Sequence, residues 1–106
     1  MADLFYIACR IEHGAFTNER VFEIALSEKI KTFEGSTGML IGTAHTDHLR
    51  DENRNHLRED EPGYGSKVEG FVLCRKLREL DGGWVIVEVP SADVIHVSGD
   101  SLIAVD

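Results

Sequence analysis

The sequence predicts a mainly β fold: a small barrel or β-roll, with one long polar loop that has room for a short helix. Three observations carry this expectation. Side chains alternate at a period of two in "LFYIACRI" and "RVFEIAL", which sets one apolar strand face against a core. In the C-terminal third, β-branched runs fall between turn residues about every eight to twelve positions, the rhythm of sandwiches and barrels. Between these parts, residues 46–66 hold only Leu49, Leu57 and Tyr64 as clearly apolar side chains.

The first strand places Phe5, Ile7, Cys9 and Ile11 on one face and Leu4, Tyr6, Ala8 and Arg10 on the other. "EHGAFTNE" then reads as a turn. In the second strand, Phe22, Ile24 and Leu26 oppose Val21, Glu23 and Ala25. Together these predict an antiparallel pair, 3–11 with 19–26. "SEKIKTFEG" allows two readings. Ser27 could cap a helix that ends at Gly35, or 30–34 could be an edge strand. Thr32 and Phe33 are poor helix formers, which favours a strand or irregular extension. "GMLIGTAH" is a strand entered at Gly38, with Gly42 as a bend or bulge.

Within the polar stretch, Leu49 and Leu57 are eight apart with Asn53 between them. That spacing suits one face of a surface helix over 47–59, capped by Thr46 or Asp47 and ended by "EPGYGS". "KVEGFVLCRKLREL" reads as a long strand with a possible bend at Gly70. "DGG" is a hairpin signal, and "WVIVEVP" is the returning strand, stopped by Pro90. Two short strands, 94–97 and 102–105, flank the turn "SGDS".

Length fits one domain, residues 1–106. Apolar residues make up 42% and charged residues 28%, so the composition is that of a folding chain. The net charge of −8 argues against nucleic acid as a main partner, because phosphate binding needs a basic face. A short basic stripe, Lys67, Arg75, Lys76 and Arg78, is expected to be a solvated strand face. No apolar run approaches the roughly 18 residues of a membrane span. The N-terminus lacks the basic start of a signal peptide, so a cytoplasmic location is expected. Cys9 and Cys74 lie within strand-like runs and in a reducing compartment are expected to be buried thiols, with a disulfide between strand neighbours as the alternative; without CxxC there is no signature of a zinc knuckle or thioredoxin-type site.

Residues 67–106, in "GFVLCRKLRELDGGWVIVEVPSADVIHVSGDSLIAV", resemble the SH3-like small β-barrels in their order of strand, DGG turn, strand, "VP" and two short strands. The resemblance covers under half of the chain and is one of fold. It implies a binding module for proteins or nucleic acids. The KOW type, which is RNA-associated, is usually more basic than this chain.

Candidate chemistry concentrates in "AHTDHLRDENRNHLREDE", which holds three of the five histidines among six carboxylates. On a helix, His48, Glu52 and His56 would form a row, and His45 and His48 would share a face. Such a set, drawn from His45, Asp47, His48 and His56, could hold zinc and leave one position for water. The spacing matches no established zinc motif. The favoured reading is a charge-balanced surface, with Arg50, Arg54 and Arg58 at four-residue spacing pairing with nearby carboxylates.

Elsewhere, Glu23, Glu69 and Glu88 are expected to face solvent. His96 is expected to be a partly buried sheet residue and His13 a turn residue. No serine lies in a GxSxG context. "GSTG" lacks the lysine of a phosphate-binding loop and reads as a turn. Trp84 is expected to pack on the barrel, although with Tyr64 and Phe16 it could make an aromatic ligand patch. The leading expectation is therefore a non-enzymatic binding module, monomeric or homodimeric, for a protein or a small ligand. Its contact residues would be Arg50, Arg54, Arg58, Tyr64 and Trp84. The alternative is a zinc protein or metal-dependent enzyme.

Overall fold

Alternation in the sequence becomes one curled antiparallel sheet that forms a half-barrel. The computed structural model describes residues 3–105. Met1, Ala2 and Asp106, which the expected span 1–106 includes, lie outside the described residues. The strands are β1 (Leu4–His13), β2 (Glu19–Ala25), β3 (Ile30–Lys31), β4 (Met39–His45), β5 (Leu49–Asp51), β6 (Lys67–Glu79), β7 (Trp84–Glu88), β8 (Val94–Ser98) and β9 (Ile103–Ala104).

The two long strands, β1 and β6, pair over Leu4–Arg75 through Glu12–Lys67 and make the spine. Each serves two partners on its other edge. β1 carries β9 at Phe5 and Tyr6 and β2 at residues 10–13. β6 carries β5 at residues 70–72 and β7 at residues 75–79. The sheet order β3-β8-β7-β6-β1-β2-β4 puts β3 and β4 at its two ends, with β5 and β9 off this path, each beside one strand. A register shift between Lys76 and Arg78 bends β6 where it passes from β1 to β7, which helps the sheet to curl.

The inner face takes the predicted apolar set. Ile7, Cys9 and Ile11 meet Phe22 and Ile24 of β2, Val72 and Cys74 of β6, Val85 and Val87 of β7, and Ile95 and Val97 of β8. Each fully buried Ile, Val or Phe is worth about 1.5–3 kcal/mol relative to exposure. The ambiguous segment 27–35 settles as an extended one. Ile30 and Lys31 pair with Val97 and His96 of β8, and bridges join Ser27 to Ile30 and Thr32 to Gly35.

Gly42 and Gly70 both mark close approaches, and Gly42 is not a bulge. The β2–β4 register runs through Gly42 without a shift, and a Cβ there would meet the Ser91 hydroxyl at 2.6 Å and the Phe22 ring at 2.8 Å. A Cβ at Gly70 would press on the Arg50 carbonyl and would meet Ile11 Cδ1 at 2.6 Å.

The polar stretch departs most from expectation. The helix over 47–59 is replaced by one 3-10 turn at Thr46–His48, the strand β5, and a tight turn. Asp51 supplies the reason. Its Oδ1 accepts the N–H groups of Asn53 at 2.8 Å and Asn55 at 2.9 Å, drawing away donors that a helix would use internally. Arg54 takes a left-handed conformation, φ 66°, and Arg50 bridges to His56. Leu49 is fully buried and Leu57 packs on the core. The pair therefore reaches the interior through a folded-back strand rather than a helix face.

The rest of the stretch is held by Arg20, which is completely buried on the inner face of β2. Its Nε donates to the Glu61 carbonyl at 2.8 Å and its Nη2 to the Glu59 carbonyl at 2.9 Å. Its Nη1 donates to the carbonyls of Thr17 and Glu19, each at 2.8 Å. Hydrogen bonds to a charged donor contribute about 1.5–3 kcal/mol each, and orphaned buried acceptors carry a further cost.

Arg20→Met should lower unfolding stability by about 3–5 kcal/mol in urea titration and should speed amide exchange across residues 57–61. Unchanged exchange there would show that the stretch holds itself. Gly70→Ala should cost about 1–3 kcal/mol through overpacking, read as a lower urea midpoint at unchanged slope.

Candidate functional site

The β1–β2 connection is a short turn tied at both ends. Glu19 N–H donates to the Phe16 carbonyl at 3.1 Å, and Ala15 N–H donates to the Glu19 carboxylate at 3.2 Å. Arg20 grips the Thr17 carbonyl from below. This fixed turn presents Phe16 to solvent at 71% exposure. Tyr64, 88% exposed, lies at the same end of the half-barrel. Its ring lies against His13, tilted by 32° with centroids 4.7 Å apart. His13 is the last residue of β1 rather than a residue of the turn.

Beside Phe16 lies a cleft of about 590 Å³, bounded by Glu19, Thr43, His45, His48 and Pro90. A second depression of about 250 Å³ shares His48 and Pro90 and continues toward Leu4, Arg75 and Glu88. His45 Nδ1 accepts the Asp47 N–H at 3.1 Å and sits 3.4 Å from the Asp47 carboxylate. An accepting Nδ1 leaves Nε2 as the protonated nitrogen of the neutral ring.

The structure gathers some of the sequence candidates and separates others. His45 and His48 share the cleft with Phe16. His56 lies apart, in the bridge to Arg50, and the expected row of His48, Glu52 and His56 does not form because the helix is absent. Among the described residues, no three His, Cys, Asp or Glu side chains converge to hold a metal ion.

The arginines also part company. Arg50 donates to the carbonyls of Asp47 and Leu49. Arg54 lies over the Phe71 ring at 5.7 Å. Arg58 faces Glu61 at 3.2 Å and Asp60 at 3.8 Å. Arg50 lies in β5 and Arg54 in a turn with left-handed backbone, so neither a helix nor a continuous strand aligns the three, and they do not form a common face. Trp84 is half-buried under Lys31, whose Nζ is 5.0 Å from the ring centre. It pairs with Ser98 at the Glu79 end of β6, whereas Tyr64 lies before its Lys67 end. The aromatic set thus reduces to Phe16 and Tyr64.

Three residues of the basic stripe are charge-matched. Lys67 bonds Glu23 at 3.1 Å, Arg75 bonds Glu88 at 2.9 Å and Lys76 bonds Glu79 at 3.2 Å. Glu23 was expected to face solvent. It is buried instead, because the outer face of β2 lies under Lys67, which meets both Glu23 and Glu12. Sequence reading missed Arg20 as well. The alternation of Phe22 and Ile24, continued back by one step, would have placed it inside.

Cys9 pairs with Gly70 and Cys74 with Phe5. Four residues of register separate the two thiols, about 13 Å along a strand and too far for a disulfide. Burial pushes both thiols up from the ordinary 9.0 to about 12. Raised values mean that the folded state holds its thiol protons after the unfolded chain has lost them. Stability from this source is whole below pH 9 and falls as pH rises from 9 to 12. A Cys9→Ala/Cys74→Ala variant should show a flatter decline of Tm over that window. In the native protein both thiols should resist iodoacetamide at neutral pH and react once urea unfolds the chain.

No protein-family model matches the chain, and neither a curated protein nor a solved structure matches it.

Proposed function

We propose that the chain is a non-enzymatic binding module for a protein partner, with its contact surface at the β1–β2 end of the half-barrel. The observation that carries this reading is the pair of outward aromatic rings, Phe16 and Tyr64, the first on a hydrogen-bonded turn and the second against the His13 ring. Aromatic anchors dominate contact energetics, and a ring fixed before binding loses less conformational freedom on binding. The cleft beside Phe16 offers a recess for a partner side chain. Glu19 and Asp47 near that recess, within a chain of net charge −8, favour a partner with a basic face.

The SH3-like reading of residues 67–106 belongs to this proposal. Its support is the order of β6, a tight turn, β7, β8, a 3-10 turn and β9. Barrels of that kind serve mostly as binding modules, so the analogy bears on fold and the named residues carry the function. A cytoplasmic setting is part of the same proposal and fits two unpaired cysteines. Among the described residues, no helix is long and apolar enough to cross a membrane.

The test is capture of partners from native lysate on immobilised protein, comparing wild type with Phe16→Ser/Tyr64→Ser. A Leu77→Ser control alters the far end of β6. The double variant should bind the captured partner at least about tenfold more weakly, the control should bind as wild type does, and added salt should weaken capture. Equal recovery by wild type and the double variant would place the contact elsewhere.

A further inference from the structure

We propose that β4 is a self-association edge: two copies of the chain pair β4 with β4 antiparallel about a two-fold axis at Gly42. The argument starts from which backbone groups the edge leaves free. Leu26 N–H donates to the Gly38 carbonyl at 3.0 Å, and Thr46 N–H donates to the Asn18 carbonyl at 2.9 Å. Bonding alternates along an antiparallel ladder, so Leu40, Gly42 and Ala44 bond inward to β2. The N–H and C=O groups of Met39, Ile41, Thr43 and His45 then point away from the sheet, and the side chains of these four residues are exposed. Met39 and Ile41 are 52% and 59% exposed.

The two ends of the sheet are unlike, and the strands off its path, β5 (Leu49–Asp51) and β9 (Ile103–Ala104), are short. β3 is two residues long, contains Lys31 and follows Lys29, the usual protection of an edge. β4 has seven residues, an unbroken register with β2 and no proline. From Gly35 to Thr46 no Lys, Arg, Asp or Glu occurs, in a chain that is 28% charged. Two acidic copies repel one another over most of their surfaces. This uncharged edge is where they can approach, and that argues for a second copy as the occupant.

The register closes on itself. A two-fold at Gly42 sets Ile41 opposite Thr43 of the second copy and Met39 opposite His45 of the second copy, and the reverse. Every outward N–H and C=O of the strand then finds a partner, because such facing pairs exchange two hydrogen bonds each. Ile41 against Thr43 is a favourable β-branched cross-strand pair. Ser91 closes over the inner side of Gly42, so the new contact grows from the outer face. The result is one sheet running through two half-barrels. The edge shares Thr43 and His45 with the cleft beside Phe16, but sedimentation reads the pairing of copies and lysate capture reads the other partner, so either proposal can fail alone.

Sedimentation equilibrium from low micromolar to submillimolar protein tests it. Wild type should shift from one chain to two, and added salt should strengthen the dimer by screening like charge, the opposite of its effect on a basic partner. Thr43→Pro removes one free-edge donor and leaves the β2 ladder whole. Ile41→Lys places a charge on the edge. Both should remain single chains with unchanged circular dichroism. In concentrated wild type, amides of Met39, Ile41, Thr43 and His45 should gain about tenfold or more protection from exchange relative to dilute protein. A mass of one chain at every concentration would overturn the proposal. So would a dimer that survives Ile41→Lys without gaining protection at those four amides.

Discussion

The guanidinium of Arg20 stands in the row that Phe22 and Ile24 occupy, with four backbone carbonyls around it. Burying a cation costs several kcal/mol unless its donors are met, and here the donors meet dipoles from two separate segments. Among the described residues, no carboxylate pairs with it. Because carbonyls do not titrate, the arrangement does not depend on a partner's protonation. The strongly acidic surroundings also favour a buried positive charge. Two consequences reach the surface. The Thr17 carbonyl fixes the turn that presents Phe16, and the Glu59 and Glu61 carbonyls hold the end of the polar stretch against the sheet.

Around that anchor, the spine of β1 and β6 does most of the architectural work. Each long strand pairs with the other along one edge and with two shorter strands along its second edge. This lets a single sheet curl without a helix to cover it. The seven-residue edge at β4 and the two-residue edge at β3 follow from where that curl stops. The polar stretch is part of the same construction. Leu49 and Leu57 put it into the core, and Gly70 lets β5 approach β6 closely enough to join the sheet. The stretch is therefore a built-in strand with a surface turn rather than an appended loop.

The sequence by itself determined the strand pattern. Two-residue alternation is a local property, so β1, β2 and the β6–β8 run could be read from it, along with the buried state of both thiols. It also determined the acidic surface and the location of the uncharged stretch from Gly35 to Thr46. Tertiary structure decided everything that depends on where one segment meets another. Leu49 and Leu57 have helical spacing, but the Asp51 carboxylate turned the chain back. Glu23 and Lys67 are 44 positions apart and became a covered ion pair only when β2 and β6 paired with the two edges of β1. Arg20 shows the same division: periodicity puts it on the inner face, but only the return of residues 59–61 supplies the acceptors that make a buried charge tolerable. Spacing along a chain reports which way side chains point, and long-range contact decides what they find there.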